Sequence, residues 1–385
     1  MRKFKVGVIG TGYIGTVHIE ILRRVFGAEV VALADSNEKL GRATAERLGV
    51  PKVYASGEAL IDDRDIEVVH NCAPNNAHFA LNKRAVEAGK DVLSEKPLSL
   101  TAAESAELVR LAEKHKTLTG INFCYRYYPV VQEAAARVRR GDLGEIRAFM
   151  GHFLQDWLFY DTDYSWRLDP SIAGAANVLG DLGSHFTDLV QFVSGRKITD
   201  VMADFHTCIP KRKKPKADVL AFSTQVGGET EVVDIGVEDY ASLFLRLDNG
   251  ASGSFTTCQV AAGHKVDLEL RLFGSKESYA WSHVHPNDLW IGHREKGNET
   301  FYESSALQVA GTGKYDTLPT GHPMGYHDAV TNLFRDYYEA LEAKRAGRPF
   351  DVRFPDFRTG HEAMCALAAG VESHRTGRWV KVARY

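Results

Sequence analysis

The chain has 385 residues, too many for one compact core, so two or three domains are expected. Its 44% apolar and 25% charged content is that of a globular protein and argues against a disordered or membrane-spanning class. A net charge of −3 exerts no overall pull on nucleic acid. Five scattered cysteines (72, 124, 208, 258 and 365) lack zinc or redox spacing, and no apolar stretch is long enough for a bilayer, so a reduced, cytoplasmic protein is expected. Residues 1–15 read as a strand and loop, so no secretory leader is expected.

The first 122 residues alternate short apolar runs with helical stretches. The runs fall at 6–9, 30–34, 66–70, 91–93 and 118–121, separated by helical patterns at 14–25, 38–48, 77–88 and 102–114. That spacing predicts right-handed βαβ crossovers and a doubly wound parallel sheet, a Rossmann dinucleotide-binding domain over 1–122. In such sheets ligands meet the carboxyl ends of the strands. The first strand runs into Gly10-x-Gly12-x-x-Gly15. Gly10 permits a tight turn, Gly12 lets backbone N–H groups approach a pyrophosphate, and Gly15 lets the helix pack closely on the strand. Tyr13 and Ile14 follow at the positive end of that helix. The second strand ends on Asp35, placed to hydrogen-bond a ribose 2′-hydroxyl and to repel a 2′-phosphate, so NAD rather than NADP is expected. Glu95-Lys96-Pro97 follows the run at 91–93. A lysine there points into the ligand crevice, and Pro97 stiffens the backbone; a surface ion pair between Lys96 and Glu95 is the competing reading.

A second, α+β domain is expected over 123–385. Residues 241–247 and 266–272 alternate strictly, leucines on one side and Asp267, Glu269 and Arg271 on the other, the pattern of antiparallel strands with one buried face. Asp248-Asn249-Gly250 supplies a turn. A mostly antiparallel sheet is therefore predicted over about 145–305, interrupted by a helix at 177–194, with helices at 325–345 and 356–374 closing the chain. The stretch from Trp157 to Arg167 carries aromatic faces that stack on sugar rings, and Asp161, Asp163 and Arg167 suit hydroxyls, although aromatics serve equally well as core. On the helix at 177–194, Asp181 and His185 are four apart and flank the apolar stripe Val178, Leu182, Phe186, Leu189 and Val193. A carboxylate one turn from an imidazole orients it and raises its basicity, as a proton-transfer histidine requires. Gly180 and Gly183 each weaken a helix by about 1 kcal/mol, and close approach of another body is their expected return. A capping Asp with a surface His is the alternative. The run Lys211-Arg212-Lys213-Lys214-Pro215-Lys216 reads as a solvated loop. His283, His285, His322 and His327 lack ligand spacing, so no metal is expected.

Gly10, Gly12 and Gly15, Ala73-Pro74-Asn75-Asn76-Ala77-His78, Glu95-Lys96-Pro97, Tyr125-Arg126-Tyr127-Tyr128-Pro129 and Gly180-Asp181-x-Gly183-x-His185 together resemble the Gfo/Idh/MocA family of sugar and inositol oxidoreductases. The resemblance implies an NAD(P)-dependent enzyme whose second domain is an open-faced antiparallel sheet. It implies that Lys96, Asp181 and His185 line the substrate side of the nicotinamide. Ala73, Pro74, Asn75 and His78 then contact the cofactor, with Glu95, Arg126, Trp166 and Arg167 near it. Ala73 departs from the Thr or Ser of many relatives, which removes a hydroxyl from that contact. A homodimer or homotetramer through the sheet is also implied. The reaction expected is hydride transfer from a secondary hydroxyl of a cyclic polyol, a pyranose or an inositol. His185 is the base oriented by Asp181, and Lys96 hydrogen-bonds the oxygen or is itself the base. Tyr128, Trp157, Asp161, Asp163, Arg167 and His327 are expected substrate contacts. Reduction of a keto-sugar or anhydro-sugar by the same residues is a second reading. A non-catalytic NAD(H)-binding regulator is a third, against which Lys96, Asp181 and His185 speak, since binding alone needs none of them.

Overall fold

Six short strands, β1 (Phe4–Ile9), β2 (Ala28–Ala34), β3 (Lys52–Tyr54), β4 (Val68–Asn71), β5 (Asp91–Ser94) and β6 (Thr119–Ile121), pair in parallel in the order β3-β2-β1-β4-β5-β6. This is the doubly wound order, with its topological switch between β1 and β4. The structure is a computed structural model that describes residues 2–216 and 228–383; residues 217–227, inside the stretch expected to hold the second sheet, lie outside the described residues. Helices α1 (Tyr13–Leu22), α2 (Glu38–Leu48), α3 (Gly57–Asp62), α4 (Asn75–Glu87) and α5 (Ala102–His115) link the strands. Val6, Val8, Leu33, Val68, Val92 and Leu93 are fully or almost fully buried, which is why these strands read as continuous apolar runs. Local chemistry sets the helix ends. Thr101 and Glu104 form a capping box at the start of α5, and Lys116 ends it in the left-handed region at φ 53°. The sequence reading did not anticipate β3 and α3, whose three and six residues are too few to show a period.

The second half begins with α6 (Pro129–Arg140), also unanticipated, and β7 (Ile146–Leu154). After α7 (Pro170–Ala173), the expected helix at 177–194 is in two parts, a π-helical segment Leu179–Gly183 and then α8 (Ser184–Ser194). Strands β8 (Ile198–His206), β9 (Lys211–Pro215), β10 (Thr230–Asp234), β11 (Tyr240–Leu247), β12 (Ser252–Cys258), β13 (Asp267–Gly274), β14 (Ser278–Ser282), β15 (His285–Gly292) and β16 (Glu299–Tyr302) follow. Helices α9 (Tyr326–Arg345) and α10 (Phe357–Thr376) and the short β17 (Val380–Lys381) complete the described chain. Nine strands pair in the order β16-β15-β14-β13-β7-β12-β11-β8-β17, and every pairing is antiparallel except β7 with β12. The leucines of β11 and β13 are buried while Phe244 and Arg271 face outward, as the alternation requires. The 248–250 turn forms, with Gly250 at φ +86° and the Asn249 side chain accepting from Ala251 N–H. The stripe of α8 lies on this sheet, Phe186 stacking on Phe255 at 4.1 Å between ring centres.

The basic run at 211–216 is not a loop but the strand β9, paired with β10 as a two-stranded ribbon. Its lysines are neutralised by carboxylates: Lys211 by Asp234, Lys213 by Asp161, Lys214 by Glu231 and Lys216 by Glu229.

Two compact units result. The first takes residues up to 123 with 171–174 and 330–364, and the second takes 124–170, 175–329 and 365 onward. The block expected as a second domain, 123–385, is thus interrupted. Most of α9 belongs with the first sheet, because Tyr337 donates to Leu118 O at 3.2 Å, Lys344 pairs with Asp91 at 2.5 Å, and Tyr338 packs edge-on against Phe4.

Candidate functional site

In the first unit, β1 ends in a loop that only glycine permits at two positions. Gly10 sits at φ +85°, and a Cβ there would lie 2.5 Å from Cys72 O. A Cβ on Gly15 would lie 1.8 Å from Gly10 O, so the helix approaches the strand at backbone contact. A Cβ on Gly12 would meet nothing within 4 Å, and no side chain caps α1 there, which leaves the first-turn N–H groups beside open space for an anion. Asp35 braces the loop from the end of β2. Its Oδ2 accepts Thr11 N–H at 2.8 Å and Thr11 Oγ1 at 2.6 Å, and its Oδ1 accepts Asn37 N–H at 2.8 Å. A half-buried carboxylate at this strand end fits a ribose hydroxyl, and the open N-terminus fits a pyrophosphate.

Two more strand-end segments converge here. Asn75 donates to Ala173 O at 3.2 Å. The buried His78 ring spans two carbonyls, Nδ1 at 2.6 Å from Pro97 O and Nε2 at 2.8 Å from Ala73 O, tying the loop after β4 to Glu95-Lys96-Pro97. A neutral imidazole satisfies one carbonyl and its cation both; burial nevertheless holds the pKa below the ordinary value. Lys96 is half-buried, and its peptide N–H donates to Glu95 Oε2 at 3.2 Å. Glu95 itself is buried, which removes the reading of a surface ion pair.

In the second unit, Asp181 lies in the π-helical segment, so the α-helical one-turn registry expected between it and His185 is replaced by a wider i→i+5 turn. Asp181 Oδ2 accepts Gln259 Nε2 at 2.9 Å, and Oδ1 lies 3.3 Å from Arg167 Nε. The Arg167 guanidinium sits over the Trp166 ring at 4.5 Å and 5.8 Å from that of Trp157. His185 is buried, edge-on to Tyr125 at 4.8 Å and tilted against Phe153 at 6.2 Å. Of the two helix glycines expected to allow close approach, one is packed within the helical stretch itself. A Cβ on Gly183 would meet the Leu179 side chain at 2.6 Å, whereas one on Gly180 would meet nothing.

Residues the sequence reading missed hold this turn. Glu238 accepts Asn177 N–H at 3.1 Å and Leu179 N–H at 2.9 Å, taking the free donors at the start of the helix. Asn177 Nδ2 donates to Gln259 Oε1 at 3.0 Å, which continues the chain to Asp181. Burial lifts the Glu238 carboxyl to about 7 in spite of the backbone N–H groups that favour its ionised form. Tyr125 stood in the quoted motif without a role. Glu238 and Gln259 lie far from Asp181 in sequence and carry no local signal.

The other expected site residues are placed as follows. Arg126 is buried, forms a bidentate pair with Asp188 and lies over the Phe192 ring at 4.7 Å. Tyr128 is buried and its hydroxyl meets His283 Nε2 at 2.9 Å. Asp161 pairs with Lys213 at 2.9 Å, and Asp163 accepts Tyr160 N–H at 2.7 Å, so both have structural partners in their own neighbourhood. His327 is exposed at the start of α9. The loop of Trp157–Arg167 is held from beneath by Arg212, wholly buried, whose Nη1 lies within 2.8–3.0 Å of the carbonyls of Leu158, Tyr160 and Asp163. Its Nη2 lies 3.3 Å from Asp239. Among the described residues no cluster of three His, Cys, Asp or Glu stands together as a metal would require, and no helix is long and apolar enough to cross a membrane.

A doubly wound sheet with an open glycine loop and an acid after its second strand defines a dinucleotide-binding protein. Residues 4–123 match the model of an oxidoreductase family with an NAD-binding Rossmann fold, and residues 131–280 match that of the GFO/IDH/MocA C-terminal domain. The chain belongs to the Gfo/Idh/MocA family of oxidoreductases, and its cofactor is NAD. It is 28% identical over 396 residues to levoglucosan dehydrogenase of Pseudarthrobacter phenanthrenivorans, covering 99% of each chain. A solved levoglucosan dehydrogenase in complex with NADH and levoglucosan superposes with a TM-score of 0.87 at 26% identity, covering 100% of each chain. An inositol dehydrogenase homologue from Azotobacter vinelandii, complexed with NADH and myo-inositol, gives a TM-score of 0.84 at 25% identity over 99% of this chain and 98% of that one.

Proposed function

We propose that the chain is an NAD-dependent dehydrogenase that oxidises one secondary hydroxyl of a cyclic polyol, a pyranose sugar or an inositol. The observation that carries this reading is Asp181, a carboxylate held between Gln259 and Arg167 on the same helical stretch as His185. NAD binding alone has no need of such an arrangement. NAD supplies a hydride acceptor at nicotinamide C4. His185 removes the hydroxyl proton, Asp181 orients it, and Lys96 donates a hydrogen bond to the same oxygen as alkoxide charge develops. Arg167 and the Trp157 and Trp166 faces suit a hydroxyl-rich ring beside that oxygen. Asp35 favours NAD by repelling a 2′-phosphate.

Purified protein with NAD and a panel including levoglucosan, myo-inositol and simple pyranoses, followed at 340 nm, tests the reading. NADH formation with one or a few of these is expected. Turnover only with NADH and a ketone would make the chain a reductase. Tight NADH binding with no turnover in either direction would make it a regulator. We also place subunit assembly on the outer face of the nine-stranded sheet, where Phe244, Met150, Trp290 and Tyr302 are exposed. Light scattering of Met150→Asp should then show dissociation.

A further inference from the structure

The first unit holds a second set of titratable groups that the chemistry above does not use. His18 on α1, His70 on β4 and Tyr338 on α9 are almost completely buried, and Glu95 just beyond β5 is 7% exposed. They form one line of contacts. Tyr338 Oη lies 3.1 Å from His70 Nε2, His70 Nδ1 lies 3.0 Å from His18 Nδ1, and His18 Nε2 lies 3.0 Å from Glu95 Oε1. Asn122 Nδ2 donates to the same Oε1 at 2.5 Å, and Glu95 Oε2 accepts the N–H of Lys96. Phe334 closes the line from water, edge-on to His18 at 4.8 Å and to His70 at 5.0 Å.

The chemistry of the last acceptor fixes the role of its neighbour. Glu95 carries opposing influences: burial raises its pKa, but the hydrogen bonds from His18 and Asn122 and the Lys96 charge outweigh it, so the carboxyl is held below its ordinary value. An ionised carboxylate only accepts, so His18 Nε2 carries a proton. Burial keeps the His70 ring uncharged, so one of its nitrogens donates and the other accepts, and its contacts with His18 and Tyr338 take opposite roles. The charged and titratable groups around Glu95 are His18, Lys96, Cys72 and His78, and Cys72 is pushed up by burial and by Glu95 itself, so the thiol stays protonated. One buried negative charge, fixed by three donors, therefore stands directly behind the lysine proposed to act on substrate.

We propose that Tyr338, His70 and His18 are positioning residues for the reaction: a hydrogen-bond line that fixes the Glu95 carboxylate and, through its bond to the Lys96 N–H, the backbone from which the Lys96 amine projects. The proposal rests on the reading of Lys96 given above. The distinctive member is His70, since a β4 position buried on both faces of a parallel sheet is ordinarily apolar.

The test uses the full-length enzyme and any polyol on which it turns over. His18→Ala should lower kcat by about ten- to hundredfold, the expected effect of removing a hydrogen bond to a buried charge, with the polyol KM and the NAD dissociation constant nearly unchanged. His18→Gln, whose amide N–H restores a donor to Glu95, should recover most of that loss. Tyr338→Phe deletes one hydroxyl without changing the packed ring, so it keeps the test available if His18→Ala does not fold; it should lower kcat severalfold by freeing the His70 tautomer. Variants with a lower melting temperature but wild-type kcat would overturn the proposal and leave the histidines as packing. Lys96→Met serves as the separate control. Full activity in that variant would remove the reading on which the proposal rests, whereas a loss there with unaffected His18 and Tyr338 variants would overturn the positioning line alone.

Discussion

The two units hold the side chains proposed to act in the reaction in different ways. In the first, Lys96, Asp35 and the glycine loop sit just past strand ends, where the parallel sheet itself supplies the placement and each residue's support comes from neighbouring strand ends. In the second, Asp181 and Arg167 are held by groups from distant segments: Gln259 beyond β12, Glu238 before β11 and Arg212 on β9. A parallel sheet makes its ligand-facing positions a consequence of topology. A helix lying on an antiparallel sheet offers no such rule, so the second unit secures Asp181 and the loop of Arg167 with polar side chains from distant segments, whose loss has a defined cost.

That contrast can be broken at several points. The largest effect is expected at Arg212. Arg212→Met leaves the buried Asp239 without its cation and three carbonyls without a donor, and should cost about 3–5 kcal/mol in urea unfolding. It should also raise the polyol KM more than it lowers kcat, because the loop of Trp157 and Arg167 loosens. A loss under about 1 kcal/mol would show the loop is held by other contacts, such as the small apolar cluster of Leu158, Leu168, Ile235 and Val237.

Glu238 comes next. Its folded pKa of about 7 lies above the ordinary 4.5, so the stability it lends is complete below pH 4.5 and is lost as pH rises towards 7, because the unfolded chain ionises first. The span corresponds to roughly 3 kcal/mol. Unfolding free energies of wild type and Glu238→Gln, measured from pH 4.5 to 8, should diverge in that window, with only the wild type falling through this group. A constant difference across the range would contradict the assignment.

The smallest effect is expected at Gln259. Gln259→Leu removes one donor from Asp181 and should lower kcat roughly tenfold while leaving the NAD dissociation constant as it was. Weakened NAD binding with unchanged kcat would instead assign Gln259 to the cofactor.

The same contrast governs what the sequence reveals. The parallel sheet apart from β3, its glycine loop and Asp35 are legible because each of those strands contains an apolar run and each candidate residue follows one directly; α2 was expected at 38–48 and is found there. The alternation of β11 and β13 and the 248–250 turn were legible for the same local reason. The ribbon of β9 and β10 was not, because lysines read as solvated until the facing Glu229, Glu231 and Asp234 are seen. Nor was the π-helical turn, which has no sequence period of its own. The return of 330–364 to the first unit depends on what Tyr337 and Tyr338 of α9 pack against, and packing partners at that distance leave no pattern in the chain.

In the proposed mechanism Lys96 and His185 serve one chemical step. The most direct measurement is a double-mutant cycle on the rate of NADH formation, using Lys96→Met, His185→Asn and the pair, with the polyol saturating. Each single change is expected to lower kcat by about 10²–10⁴-fold with NAD affinity retained, and the double variant should be little slower than the slower single. Losses that simply multiply, or a His185 variant that no longer binds NAD, would contradict the account.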